Sequence, residues 1–184
     1  FYMETQGDPR YAIFALLGIT LTIGTISGSF INPAMTIGAL IARKIKYQKA
    51  LGYVLAQTLG AVAAWSVLSS YGKGLSATTS LTSSLIFTAT AVIAGKEWYV
   101  FFAEISGAAI LSFGLASALK SIKNHEIAIN GAVAYAGALF IAMFITYIIM
   151  SPLGTGLVFF NPAIAFAASA VKFQLWPIAI YVIA

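Results

Sequence analysis

Long apolar runs dominate the chain, separated by short polar connections. Four runs, 11–27, 50–71, 98–119 and 127–150, approach or exceed the length needed to cross a bilayer, and a fifth begins near Phe173. About 20 apolar residues are required for a helical span, so each run predicts a transmembrane helix, the first of them short. Gly and Ala are frequent in stretches such as LGYVLAQTLGAVAAW and GAVAYAGALFIA. Small residues let helices approach closely in lipid, so close helix packing is expected. Two further apolar segments, 28–42 and 156–171, are roughly fifteen residues long and too short to cross alone.

Both short segments carry Asn-Pro-Ala: Asn32-Pro33-Ala34 in SGSFINPAMTIGALIARK, and Asn161-Pro162-Ala163 in TGLVFFNPAIAFAASAVK. Asn is a good helix N-cap and Pro is favoured at the first helical position. Each motif therefore predicts the start of a short helix. A single copy reads equally well as a capped surface helix. Two copies, each preceded by Ser-Gly or Thr-Gly and followed by an apolar stretch ending in a basic residue, form an internal repeat. Three predicted spans lie between them, so the copies enter from opposite faces as an inverted repeat. Half-helices dipping in from both sides would meet N-terminus to N-terminus. Irregular backbone at that depth is tolerated only where it lines a cavity, so the pattern predicts a pore. Each helix start carries roughly half a positive charge, and two aimed at one point oppose cations and protons. The Asn32 and Asn161 amides are then expected to donate to a passing oxygen.

Composition supports the membrane reading. The chain of 184 residues is 60% hydrophobic and 8% charged, against roughly a quarter charged in a soluble domain. There is no cysteine and one histidine, so neither disulfide chemistry nor a histidine metal site is expected. No cofactor is implied, and no nucleophile–base set suggests an enzyme. The net charge of +5 does not suggest nucleic acid, because the basic residues lie between apolar runs. Arg43, Lys44, Lys46, Lys49, Lys120 and Lys123 fall in the 28–49 and 120–126 connections, against Arg10, Lys73, Lys96 and Lys172 on the other side. The positive-inside rule predicts that 28–49 and 120–126 are cytoplasmic and that the Ser/Thr-rich 72–97 connection is outside. The chain opens at Phe1 and ends at Ala184 within an apolar run, as an interior piece of a longer protein would.

SGSFINPAMTIG and FFNPAIAFA resemble the two signatures of the aquaporin, or major intrinsic protein, family. GYVLAQTLGAVAAW, with Gln57, is similar to its third helix, and FFAEISGAAILSFGLASAL, with Glu104, to its fourth. The resemblance implies an all-α membrane fold: a right-handed bundle of six spans plus two re-entrant half-helices. In this chain the first span would be missing and the last truncated. It also implies one channel domain over 1–184, with repeats at about 1–71 and 98–184 joined by the 72–97 loop. A pore in each subunit of a homotetramer follows from the same likeness.

Glu104 is the one carboxylate inside a span, and intramembrane acids are candidates for proton relays. No second acid or histidine lies in another span. The resemblance makes Glu104 a structural brace that accepts backbone N–H groups from a re-entrant loop, and gives Gln57 a similar part. An arginine usually follows the second motif and lines the narrowest constriction in this family. Here Ile164 stands at that position, and Phe30 replaces a common histidine before the first motif. The other constriction candidates are Ala12, with Phe14 nearby, Tyr147 and Val158. Ala165 resembles the water-selective subgroup, whereas SPLGTG resembles the glycerol branch. The expected function is a passive water channel. The alternatives are passage of glycerol, hydrogen peroxide or another small neutral solute, a membrane protein closed by Phe30, Phe159, Phe160 and Ile164, or a coupled transporter.

Overall fold

A computed structural model describes residues 9–76, 95–123, 128–153 and 159–167. The described residues form six α-helices: α1 (Pro9–Ser27), α2 (Pro33–Ile41), α3 (Tyr47–Ser76), α4 (Glu97–Lys123), α5 (Ala128–Met150) and α6 (Pro162–Ala167). A single 3-10 turn, Ser151–Leu153, follows α5. The four apolar runs fall on α1, α3, α4 and α5. Helix α3 continues to Ser76, into the start of the expected 72–97 connection. Residues 77–94 of that connection, and the run from Phe173, lie outside the described residues.

Three helices contain segments long and apolar enough to cross a membrane: Tyr47–Val67, Glu97–Ser121 and Ile129–Met150. The apolar part of α1, Ala12–Ser27, is shorter. Large apolar side chains point outward along all four, among them Phe14, Leu59, Val67 and Phe113. Exposed apolar surface on this scale is costly in water and favourable in lipid. The chain is an integral membrane protein with an all-α fold.

Helices α4 and α5 form the most extensive pairing, and their sequences explain it. A Cβ added at Gly131 would lie 2.8 Å from Ala118 Cα, and one at Gly114 would lie 3.0 Å from Tyr135 Cα. Ala103, Ala118, Ala132 and Ala142 are fully buried. Small side chains bring the backbones together, which maximises dispersion contacts where lipid supplies no hydrophobic drive.

The short helices are set by their ends. Asn32 is extended (φ −136°, ψ 122°) and caps α2, with Pro33 at the first helical position. Helix α2 ends in a turn where the Lys44 N–H donates to Ala39 O and the Arg43 N–H to Leu40 O. Arg43 has φ 56°, so this is a Schellman closure with arginine in the left-handed seat that glycine normally fills. Nine residues rise about 13 Å, under half the hydrocarbon thickness, so α2 re-enters without crossing. At this end of the bundle the Tyr53 hydroxyl donates to Ser27 O at 3.0 Å, and Gly28 lies against Leu119. The end of α1, the start of α3 and the end of α4 therefore share one face of the molecule.

Candidate functional site

The two Asn-Pro-Ala motifs meet. Asn32 Oδ1 accepts from the Ala34 N–H at 2.9 Å, and Asn161 Oδ1 accepts from the Ala163 N–H at 3.0 Å. Each carbonyl oxygen thus caps its own helix. Each amide nitrogen reaches the other motif: Asn161 Nδ2 donates to Ile31 O at 3.1 Å, and Asn32 Nδ2 donates to Phe160 O. In both cases the acceptor is the carbonyl of the residue just before the opposite asparagine. The exchange is reciprocal and brings the starts of α2 and α6 together.

This pattern corrects one expectation. The side-chain amides are not wholly available to a solute, because one N–H of each is committed to the opposite backbone. An amide carries two N–H donors, so one per asparagine remains, and neither is engaged among the described residues.

Backbone strain and side-chain anchors fix the loops that lead into the motifs. Phe160 has φ 49° and Ser29 φ 55°, a conformation that costs a non-glycine residue roughly 1–2 kcal/mol. Glu104, buried on α4, meets the first of these. Its Oε1 accepts from the Phe159 N–H at 2.8 Å and its Oε2 from the Phe160 N–H at 2.7 Å. Gln57 on α3 holds the other loop, its Nε2 donating to Phe30 O and Thr36 Oγ1, each at 2.8 Å. Phe30 is buried and stacks on Tyr53, with ring centroids 5.4 Å apart. One turn after Glu104, Gly107 leaves room for the Phe160 ring, which a Cβ there would overlap. Phe160 is thus gripped at its N–H, its carbonyl and its ring.

A cavity of about 310 Å³ opens beside the paired motifs. Asn32, Asn161, Ile31, Phe159, Phe160 and Ile164 line one side, and Leu16, Ile19, Leu111, Tyr135, Leu139 and Met143 most of the other. Ala12 also faces it, together with Ala15. Nearly every lining side chain is apolar, so the asparagine amides and neighbouring backbone are the main polar features. The volume is about ten times the share of one water in liquid.

The expected constriction positions divide. Ala12 and Ile164 face the cavity, but Phe14 and Tyr147 do not. Phe14 is 67% exposed and Tyr147 66%. Two residues along a helix turn the side chain through about 200°, which carries Phe14 to the outer face when Ala12 faces in. Tyr147 lies one turn beyond Met143, where the described lining ends. Phe30 packs against Tyr53 rather than entering the cavity, and Val158 lies outside the described residues. Sequence reading missed Gly107 and the carbonyls of Ile31 and Phe160. The Glu104-x-x-Gly107 spacing, one helical turn, is the signal that could have found the glycine.

The sequence profile of the family described as Major intrinsic protein matches residues 10–184. The chain belongs to the major intrinsic protein family. Aquaporin FA-CHIP of Pelophylax lessonae is similar, at 32% identity over 129 residues, covering 59% of this chain and 44% of that protein. Aquaporin PIP1-1 of Musa acuminata is 46% identical over 63 residues, 34% of this chain and 21% of its own length. The lens fiber major intrinsic protein of Gallus gallus is 47% identical over 57 residues, 30% of this chain and 22% of its own. The matched stretch spans less than half the length of these relatives. No solved structure matches this major intrinsic protein.

Proposed function

We propose that this major intrinsic protein is a passive channel that conducts water through a pore in each subunit and excludes protons and ions. The reciprocal bonding of Asn32 and Asn161 carries the reading. It aims two helix starts, each worth roughly half a positive charge, at one place beside an apolar cavity. A cation arriving there meets unfavourable potential and little to replace its hydration. A water molecule meets the remaining asparagine N–H groups and otherwise walls that cannot hold it. Glu104 and Gln57 act as braces rather than relays, since both Glu104 carboxylate oxygens and the Gln57 amide nitrogen are engaged with loop backbone and Thr36. Ala12 and Ile164 set part of the constriction. The two motif-bearing halves, about 1–71 and 98–184, form an inverted repeat, with 28–49 and 120–126 cytoplasmic and four subunits in the assembly. Two of the three relatives named above are aquaporins, which supports the same reading.

A second reading rests on the cavity itself. Ile164 faces it as a branched alkyl group, where the family resemblance places arginine. The absence of that cation and the volume available favour passage of small neutral solutes such as glycerol or hydrogen peroxide. Stopped-flow light scattering on proteoliposomes separates the readings. A sucrose step should shrink them much faster than empty vesicles, and a glycerol step should show whether re-swelling follows at a comparable rate. Shrinkage no faster than empty vesicles would sink the channel reading.

A further inference from the structure

The junction between α2 and α3 carries charges that the described chain leaves unanswered. Arg43, Lys44, Lys46 and Lys49 fall within one short turn and the start of α3, and all four are exposed. No ion pair engages them among the described residues, and the first turn of α3 contains no acid. Lys46 and Lys49 stand at a helix start, where the macrodipole favours anions and disfavours cations. Arg43 sits in a left-handed conformation that glycine would adopt without strain. Local energetics therefore argue against these residues at three of the four positions.

The position in the fold supplies what the local energetics lack. Helix α2 returns from the membrane at Ile41 and α3 enters it at Tyr47, so residues 42–46 lie at the bilayer surface. Ile41 is 77% exposed and Tyr47 65%, an apolar and an aromatic side chain directed outward on either side of the basic turn. Aromatic side chains favour the headgroup level. The Lys49 ammonium lies 5.5 Å from the Tyr53 ring centroid, and Tyr53 is tied to Ser27 O. One of the four cations is thereby held near the bundle rather than free in solvent.

We propose that Arg43, Lys44, Lys46 and Lys49 form a docking surface for the phosphate headgroups of anionic phospholipids, with Ile41 and Tyr47 set among the adjoining chains. Charge complementarity decides the occupant. Four exposed cations at headgroup depth, with no ion pair among the described residues, match an anionic phosphodiester, and a zwitterionic headgroup adds an ammonium that opposes them. Juxtamembrane basic residues of this kind attract anionic lipid by roughly fivefold per charge, within a Debye length.

The test uses the intact protein in detergent, with phosphatidylglycerol or phosphatidylcholine of identical chains added. Bound lipid is counted by native mass spectrometry, and the unfolding midpoint is followed in parallel. We expect phosphatidylglycerol to bind at least fivefold more tightly and raise the midpoint, with both effects shrinking in 0.5 M salt. R43Q/K44Q/K46Q/K49Q should lose the preference, whereas K96Q, before the start of α4, should keep it. K46Q/K49Q, with half the charge removed, should reduce it and serves if the fourfold variant does not fold. Equal binding of the two lipids by the unaltered protein would overturn the proposal. So would a preference that survives in the fourfold variant, or glycerol 1-phosphate competing fully at equal concentration.

Discussion

Phe160 concentrates more of the site than any other residue. Its N–H goes to Glu104, its carbonyl to Asn32, its ring to the space over Gly107, and its backbone is strained. Two substitutions on α4 test this grip. Glu104→Gln replaces one acceptor oxygen with an N–H group facing a backbone N–H. It should lower stability by about 1–3 kcal/mol, the cost of an unpaired buried donor, read as a lower unfolding midpoint in detergent. Gly107→Ala drives a methyl group into the Phe160 ring and should cost about 1–3 kcal/mol by overpacking. It should also reduce water permeability, because Phe160 O would no longer orient Asn32. A Gly107→Ala protein with unchanged stability and flux would show that the ring moves aside freely.

At this scale the sequence is informative about local chemistry and silent about partners across the fold. Asn-Pro predicts an N-cap followed by a first-turn proline, and Asn32 occupies that geometry. Nothing local says that the remaining amide would reach the carbonyl before the other asparagine. That contact depends on how two distant loops are aimed. The faces of Phe14 and Tyr147 were not legible for a related reason: counting positions along a helix fixes a face only when one contact on that face is known. Ala12 supplied that reference for Phe14 only once its contact with the cavity was seen.

Among the elements, the paired helices α4 and α5 depend on missing side chains, and the two short helices on their caps. Gly131 and Gly114 sit where a methyl group would meet the opposite helix, whereas nothing lies within 4 Å of a Cβ built at Gly137. Gly131→Ala should therefore destabilise by about 1–3 kcal/mol. Gly137→Ala, on the same helix, should be neutral or stabilising by up to about 1 kcal/mol, from helix propensity alone. Parallel denaturation of the two variants checks the contrast, and equal effects would contradict the packing account. Element existence was legible because apolar runs longer than fifteen or so residues leave few options in a chain this hydrophobic. The extension of α3 to Ser76 was not, since Gly72, Lys73 and Gly74 read locally as a helix end.

For the whole molecule, the shared face formed by the end of α1, the start of α3 and the end of α4 carries most of the basic residues described. The proposed orientation places that face in the cytoplasm. The chain contains no cysteine, so single thiols can report sidedness cleanly. Lys46→Cys should react with an impermeant maleimide only from the cytoplasmic side, and Lys96→Cys only from the opposite side. The reverse pattern would invert the topology while leaving the fold intact.

The central claim is that two helix starts, bound to each other through Asn32 and Asn161, admit water and oppose protons. Proteoliposomes loaded with a pH-sensitive dye test both halves in one preparation. Water flow is followed by light scattering after an osmotic step, and proton entry by dye fluorescence under a potassium–valinomycin potential. The account predicts water flow roughly tenfold or more above empty vesicles, a barrier lowered by at least about 1.4 kcal/mol, with proton entry unchanged. Proton entry that rises together with water flow, or water flow no faster than through bare lipid, would contradict it.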